Sequence, residues 1–123
     1  MSEHNHQRTT VAHFKIQYPS LSDCIIAIPN GAHLAGSPKQ RARKMDNMKK
    51  EGFKNGASDL FIAVPRGTFH GMWLEMKDEG KTKCSLSNDQ AAHLELMEKQ
   101  GYHACWAAGC DEAIKLINDY MEL

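Results

Sequence analysis

The chain has 123 residues, and its 15 Lys and Arg balance its 15 Asp and Glu, so it carries no formal net charge. That length holds one hydrophobic core, so residues 1–123 read as a single domain. The charge balance excludes a general polyanion-binding coat, and any nucleic-acid contact must come from local clusters. The polar start Met1-Ser2-Glu3-His4-Asn5-His6-Gln7 is no secretion signal, and the apolar runs are too short to span a membrane. The four cysteines, Cys24, Cys84, Cys105 and Cys110, then read as reduced thiols of a cytoplasmic protein.

Val11, Phe14 and Tyr18 recur at helical spacing and predict an amphipathic first helix over 3–17, stopped by Pro19-Ser20. His4 and His6 read as part of a polar, mobile terminus. Cys24-Ile25-Ile26-Ala27-Ile28 predicts a short buried strand ended by Pro29-Asn30-Gly31. Ser37-Pro38-Lys39-Gln40 opens a second helix, with Ser as N-cap and Gln three residues on, and the helix runs to about Glu51. Two strands follow, Gly56–Val64 and Met72–Lys77, joined through Pro65-Arg66-Gly67-Thr68-Phe69. Ser87-Asn88-Asp89-Gln90 repeats the capping pattern before a helix that stops at Gly101. His103–Ala108 predicts the final strand, and a last helix starts near Asp111 with Ala113, Ile114, Ile117 and Met121 on one face. The order is α-β-α-β-β-α-β-α. The hairpin strands are apolar on both faces, so helices must cover both faces of a central mixed sheet.

Within the hairpin the acids stand out. A turn centred near Gly67 pairs position i with 134 − i and sets Asp59 opposite Glu75. Two carboxylates facing each other across a ladder repel, and a divalent cation between them would turn that repulsion into a set of hard oxygen ligands. Lys77, two residues after Glu75, points to the same face. Each residue also has a plainer reading: Asp59 could close a turn, Glu75 could pair with Lys77 or Arg66, and Lys77 could be an exposed strand-end lysine. A buried carboxylate needs a partner, which favours the clustered reading.

Gly56-Ala57-Ser58-Asp59-Leu60, then Glu75-Met76-Lys77, then Ser87-Asn88-Asp89-Gln90 resembles the PD-(D/E)xK nuclease superfamily, and within it the virus-type replication-repair nuclease (VRR-NUC) branch. The resemblance extends upstream through Ile28-Pro29-Asn30-Gly31, covers nearly the whole chain, and has Ser58 where the superfamily name has proline. It implies a restriction-endonuclease-like α/β core: a central mixed four-stranded sheet flanked by helices. It implies a nuclease in which Asp59, Glu75 and the Met76 backbone carbonyl bind Mg²⁺ or Mn²⁺, Lys77 handles the attacking water or the phosphate charge, and Gln90 lies near the site. Glu3, on the first helix, is the candidate for a further acidic ligand.

Basic residues cluster at Lys39, Arg41, Arg43, Lys44, Lys49, Lys50 and Lys54, and again at Lys81 and Lys83. Such clusters bind phosphates without reading sequence. His33 and Gly36 lie in a loop that could reach the site. The resemblance further implies cutting of branched DNA such as four-way Holliday junctions by a homodimer, with a phage or bacterial origin. Trp106, Tyr120 and Met121 could supply apolar dimer contacts. Competing readings are a non-catalytic nucleic-acid-binding module with the same fold, a protein-docking subunit, or a nuclease acting on RNA or other DNA.

Overall fold

The computed structural model describes residues 1–29 and 34–123. Asn30, Gly31 and His33 therefore lie outside the described residues. The elements are α1 (Glu3–Gln17), β1 (Ile25–Ala27), α2 (Pro38–Lys50), β2 (Leu60–Ile62), β3 (Met72–Lys77), α3 (Asn88–Lys99), β4 (His103–Ala108) and α4 (Cys110–Met121), with short 3₁₀ turns at Pro19–Cys24 and Lys83–Ser85. The order matches the one read from the sequence. Both Ser-x-x-Gln segments form reciprocal capping boxes. Ser37 Oγ accepts from the Gln40 N–H while Gln40 Oε1 accepts from the Ser37 N–H, and Ser87 and Gln90 repeat the pattern.

The four strands form one mixed sheet in the order β1-β2-β3-β4, antiparallel except for the parallel β3–β4 pair. Leu60, Ile62, Met72, Leu74 and Met76 on one face are wholly buried, and they share a core with Phe14 of α1 and Ala113, Ile117 and Tyr120 of α4. The opposite face carries Phe61 and Trp73, and Trp73 meets His93 of α3 edge to face. Helices thus cover both faces, as the doubly apolar strands require.

The hairpin register is the 134 − i pairing: Leu60 faces Leu74, Phe61 faces Trp73 and Ile62 faces Met72. At the tip, Arg66 faces Phe69, one residue off that register. The outgoing arm, which holds Pro65, therefore contains one residue more than the returning arm. Proline donates no ladder hydrogen bond, and β2 is accordingly shorter than the 56–64 run suggests.

Three expectations are corrected. On α1 the buried residues are His6, Thr10 and Phe14, not an all-apolar stripe. Thr10 Oγ1 donates to the His6 carbonyl (2.8 Å), and His6 Nδ1 accepts the Cys110 N–H (3.0 Å), so His6 caps α4 from a distant helix. The N-terminal segment is accordingly no mobile tail: α1 begins at Glu3, and Ser2 Oγ accepts the Asn5 N–H. Tyr120 and Met121 belong to the core at 1% and 8% exposure, the Tyr120 hydroxyl donating to the Val64 carbonyl at 2.7 Å, so neither offers an intermolecular surface. Trp106 is half-buried on the edge strand β4.

Truncating Leu74→Ala at the centre of this core is expected to cost about 2–5 kcal/mol, read as a lower urea midpoint with an unchanged slope.

Candidate active site

The β2–β3 register carries past the end of β2 and sets Asp59 beside Glu75. The two carboxylates are tied by crossed bonds: the Asp59 N–H donates to Glu75 Oε2 (3.2 Å), and the Met76 N–H donates to Asp59 Oδ2 (2.8 Å). The Asp59 carbonyl accepts from Ile28 N–H at 2.8 Å, which fixes the segment to the end of β1. Gly56, three residues before Asp59, has φ +85°, and a Cβ there would run into the Asp89 backbone at the start of α3. Glycine is what lets this loop close on α3.

Glu75 is 2% exposed. Burial first, and then a side-chain hydrogen bond and the charge of Asp59, push its pKa up to about 9, against a smaller opposing pull from Lys77. Lys77 does not neutralise it by contact. Its Nζ donates to Gln90 Oε1 (2.9 Å), which also accepts the Ser87 N–H (2.9 Å). Gln90 thus caps α3 and holds the lysine head at once. Arg66 is also elsewhere, donating to the Met121 and Pro65 carbonyls. Neither salt-bridge reading of Glu75 is realised.

Glu3 reaches the same cluster electrostatically. Its pKa is raised, first by burial and then by the charge of Asp59, with Asp78 adding to this and Lys77 opposing it. His4 and Gln7 of α1 line a cleft of about 190 Å³ with Ala27, Ile28, Pro29 and Asp59. Asp78 had no sequence signal beyond following Lys77, yet its Oδ1 is buried without a hydrogen-bond partner among the described residues. Nor did the sequence single out His4 and Gln7 as cleft residues. Gln7 lies one turn after Glu3, a spacing that repeats on a helix face, whereas His4 is its neighbour and carries no such signal.

The basic candidates disperse. Lys39, Arg41, Arg43, Lys44, Lys49 and Lys50 sit on α2, which buries none of its residues. Lys44 is tied to the Ala35 carbonyl and Lys50 to Asp46. Lys54 turns toward α3, its Nζ 3.2 Å from His93 Nδ1. Lys81 and Lys83 follow β3 in an exposed turn.

Among the described residues no three His, Cys, Asp or Glu side chains converge on one point as a ready ligand shell. What comes together is instead a pair of adjacent carboxylates, Asp59 and Glu75. Hard oxygens of this kind suit Mg²⁺ or Mn²⁺, and a cation between two adjacent carboxylates would offset their mutual repulsion. The residues fit a divalent cation.

No family model matches the sequence, and no curated protein matches it. Among solved structures, a protein described as "VRR_NUC domain protein" superposes with a TM-score of 0.83 at 28% identity, covering 100% of this chain and 90% of that one. The superposition spans the whole chain, whose four-stranded mixed sheet and flanking helices therefore share the fold of that VRR_NUC domain protein.

Proposed function

We propose that this protein is a metal-dependent endonuclease that hydrolyses phosphodiester bonds in branched DNA, four-way junctions among them. The observation that supports this reading most is the crossed Asp59–Glu75 clasp with Lys77 two residues further along the same strand face. Asp59, Glu75 and the Met76 carbonyl would hold Mg²⁺ or Mn²⁺, and Glu3 would add a more distant carboxylate. A bound divalent cation supplies Lewis-acid polarisation of the phosphoryl oxygen and a bound water of lowered pKa.

The chain's own residues do the rest. Lys77, held by Gln90, places a cation where the attacking water or the pentavalent phosphate gathers negative charge. Because Gln90 also closes the α3 capping box, the lysine is fixed before substrate arrives. The carboxylates orient what binds between them through their anchoring to backbone N–H groups, and burial excludes bulk water from Glu75. The lysines and arginines of α2, with Lys54, Lys81 and Lys83, would contact phosphates. A homodimer would bring two such sites to one junction, in the cytoplasm of a bacterial or phage-infected cell.

In a cleavage assay on a labelled four-way junction beside a linear duplex, Asp59→Asn, Glu75→Gln and Lys77→Ala should each lower the rate by at least roughly 100-fold while circular dichroism stays unchanged. Cleavage should need Mg²⁺ or Mn²⁺ and stop with chelator. Normal cutting by all three variants would sink the assignment, and equal cutting of both DNAs would remove the branched-substrate claim.

Charge reversal at Lys49 and Lys50 should weaken DNA binding. The logarithmic slope of affinity against salt should flatten by roughly 0.9 for each phosphate no longer neutralised, with the rate at saturating DNA retained. An unchanged salt slope would remove α2 from the interface.

The raised pKa of Glu75 also sets a pH dependence for the metal-free chain. The folded state binds the Glu75 proton more tightly than the unfolded state, so this residue favours folding below about pH 4.5, and the benefit is lost as pH rises to about 9. Urea midpoints across that window in chelator should fall with pH in the wild type and fall less in Glu75→Gln. Identical pH slopes would contradict the protonated pair.

A further inference from the structure

A second depression lies along α1, and the hydrolysis described above leaves it unused. It holds about 430 Å³, and among the described residues it is lined by His4, Gln7, Arg8, Val11, Ala12 and Lys15. These belong to one side of α1, since positions 4, 8, 11 and 15 recur on one face of a helix. His4 and Gln7 also line the smaller cleft that ends at Asp59. The two depressions therefore meet at these side chains, and together they run from Asp59 along most of α1.

The charge along this groove has one sign. Arg8 and Lys15 are exposed, and no Asp or Glu is among the described lining residues. Glu3 is the one acid of α1, and it sits at the Asp59 end. Neither Arg8 nor Lys15 forms an ion pair among the described residues. Val11 and Ala12 lie between them and bring no polar side-chain group. Two cations on an otherwise uncharged wall favour an anion. A phosphate chain is the anion that can also extend to Asp59 and Glu75.

The spacing fits a phosphate backbone. Arg8 and Lys15 stand about 10 Å apart along the helix axis. One strand of a duplex carries a phosphate about every 3.4 Å of its axis, so that separation covers about three phosphates. His4 is a helical turn before Arg8, about 6 Å nearer the carboxylates. A backbone with its cut phosphate at Asp59 and Glu75 would thus reach Arg8 and then Lys15 in one direction. α1 also gives the backbone a firm base, because it buries His6, Thr10 and Phe14, whereas α2 buries none of its residues.

We propose that this groove on α1 binds the DNA backbone on one side of the cut phosphate, with Arg8 and Lys15 as its phosphate contacts, and so orients the arm that is cut. The proposal rests on the nuclease reading, and its test separates the two. Wild type and the double variant Arg8→Gln, Lys15→Gln are titrated over a range of salt with a labelled four-way junction. Ca²⁺ is present, since it suits the same hard oxygens. Both proteins are then assayed for cutting with Mg²⁺. The variant's logarithmic slope of affinity against salt should be flatter by roughly 1.8, about 0.9 for each of two phosphates. Its KM should rise about tenfold, with kcat and the urea midpoint kept. Junctions carrying one neutral methylphosphonate at a time, stepped outward from the cut, locate the contact. Neutral linkages on one side of the cut should weaken the wild type and leave the variant unchanged. If the two proteins bind and cut alike, if only kcat falls, or if the neutral linkages weaken both equally, the groove is wrong and the nuclease reading stands. If the wild type neither binds nor cuts the junction, both fall.

Discussion

The site depends on the register of β2 against β3. In the observed pairing Asp59 stands across from Glu75. With the pairing of the hairpin tip continued unchanged, Asp59 would stand across from Met76, and the two acids would point to opposite faces. One additional residue on the Pro65 arm makes the difference. Everything downstream inherits it: the crossed carboxylate–amide bonds, Lys77 on the same face, and α3 lying over that face with Gln90 and His93. Gly56 adds the second constraint, since only a residue without a Cβ lets the loop before Asp59 close on α3.

This arrangement is stabilised from the far side of the sheet. Leu60, Ile62, Met72, Leu74 and Met76 are buried against α1 and α4, which holds β2 and β3 together although two carboxylates repel at their ends. The core is continuous with the site through α1 as well. The helix that contributes Phe14 to the core also presents Glu3, His4 and Gln7 toward Asp59, and uses His6 to cap α4. The protein therefore keeps an electrostatically unfavourable pair on a rigid scaffold, as expected where a cation is to be bound rather than where stability is to be gained.

Much of this was legible in the residues. The Ser-x-x-Gln boxes placed α2 and α3 because their capping chemistry is local, and β4 was bounded by Gly101 and Gly109. The 134 − i register followed from centring the turn at Gly67, although the tip itself is offset and the bulged arm restores the pairing. What stayed hidden depends on partners far along the chain. His6 and Thr10 look like surface residues until α4 supplies a bare N–H. Tyr120 looked like an interface residue until Val64 supplied a carbonyl. The Lys54–His93 contact joins residues far apart in sequence, and no periodicity announces it. The proximity of Asp59 and Glu75 is readable because a short hairpin makes their contact nearly local.

On the proposed function, the Asp59–Glu75 pair would be a divalent-cation site that holds a proton when empty. Calorimetric titration of Mn²⁺ into the full chain, in two buffers of different ionisation enthalpy at neutral pH, tests this directly. Mn²⁺ should bind with release of about one proton per chain, because a ligating carboxylate must give up its proton, and binding should be lost in Glu75→Gln. Binding without proton release, or binding that survives Glu75→Gln unchanged, would contradict it.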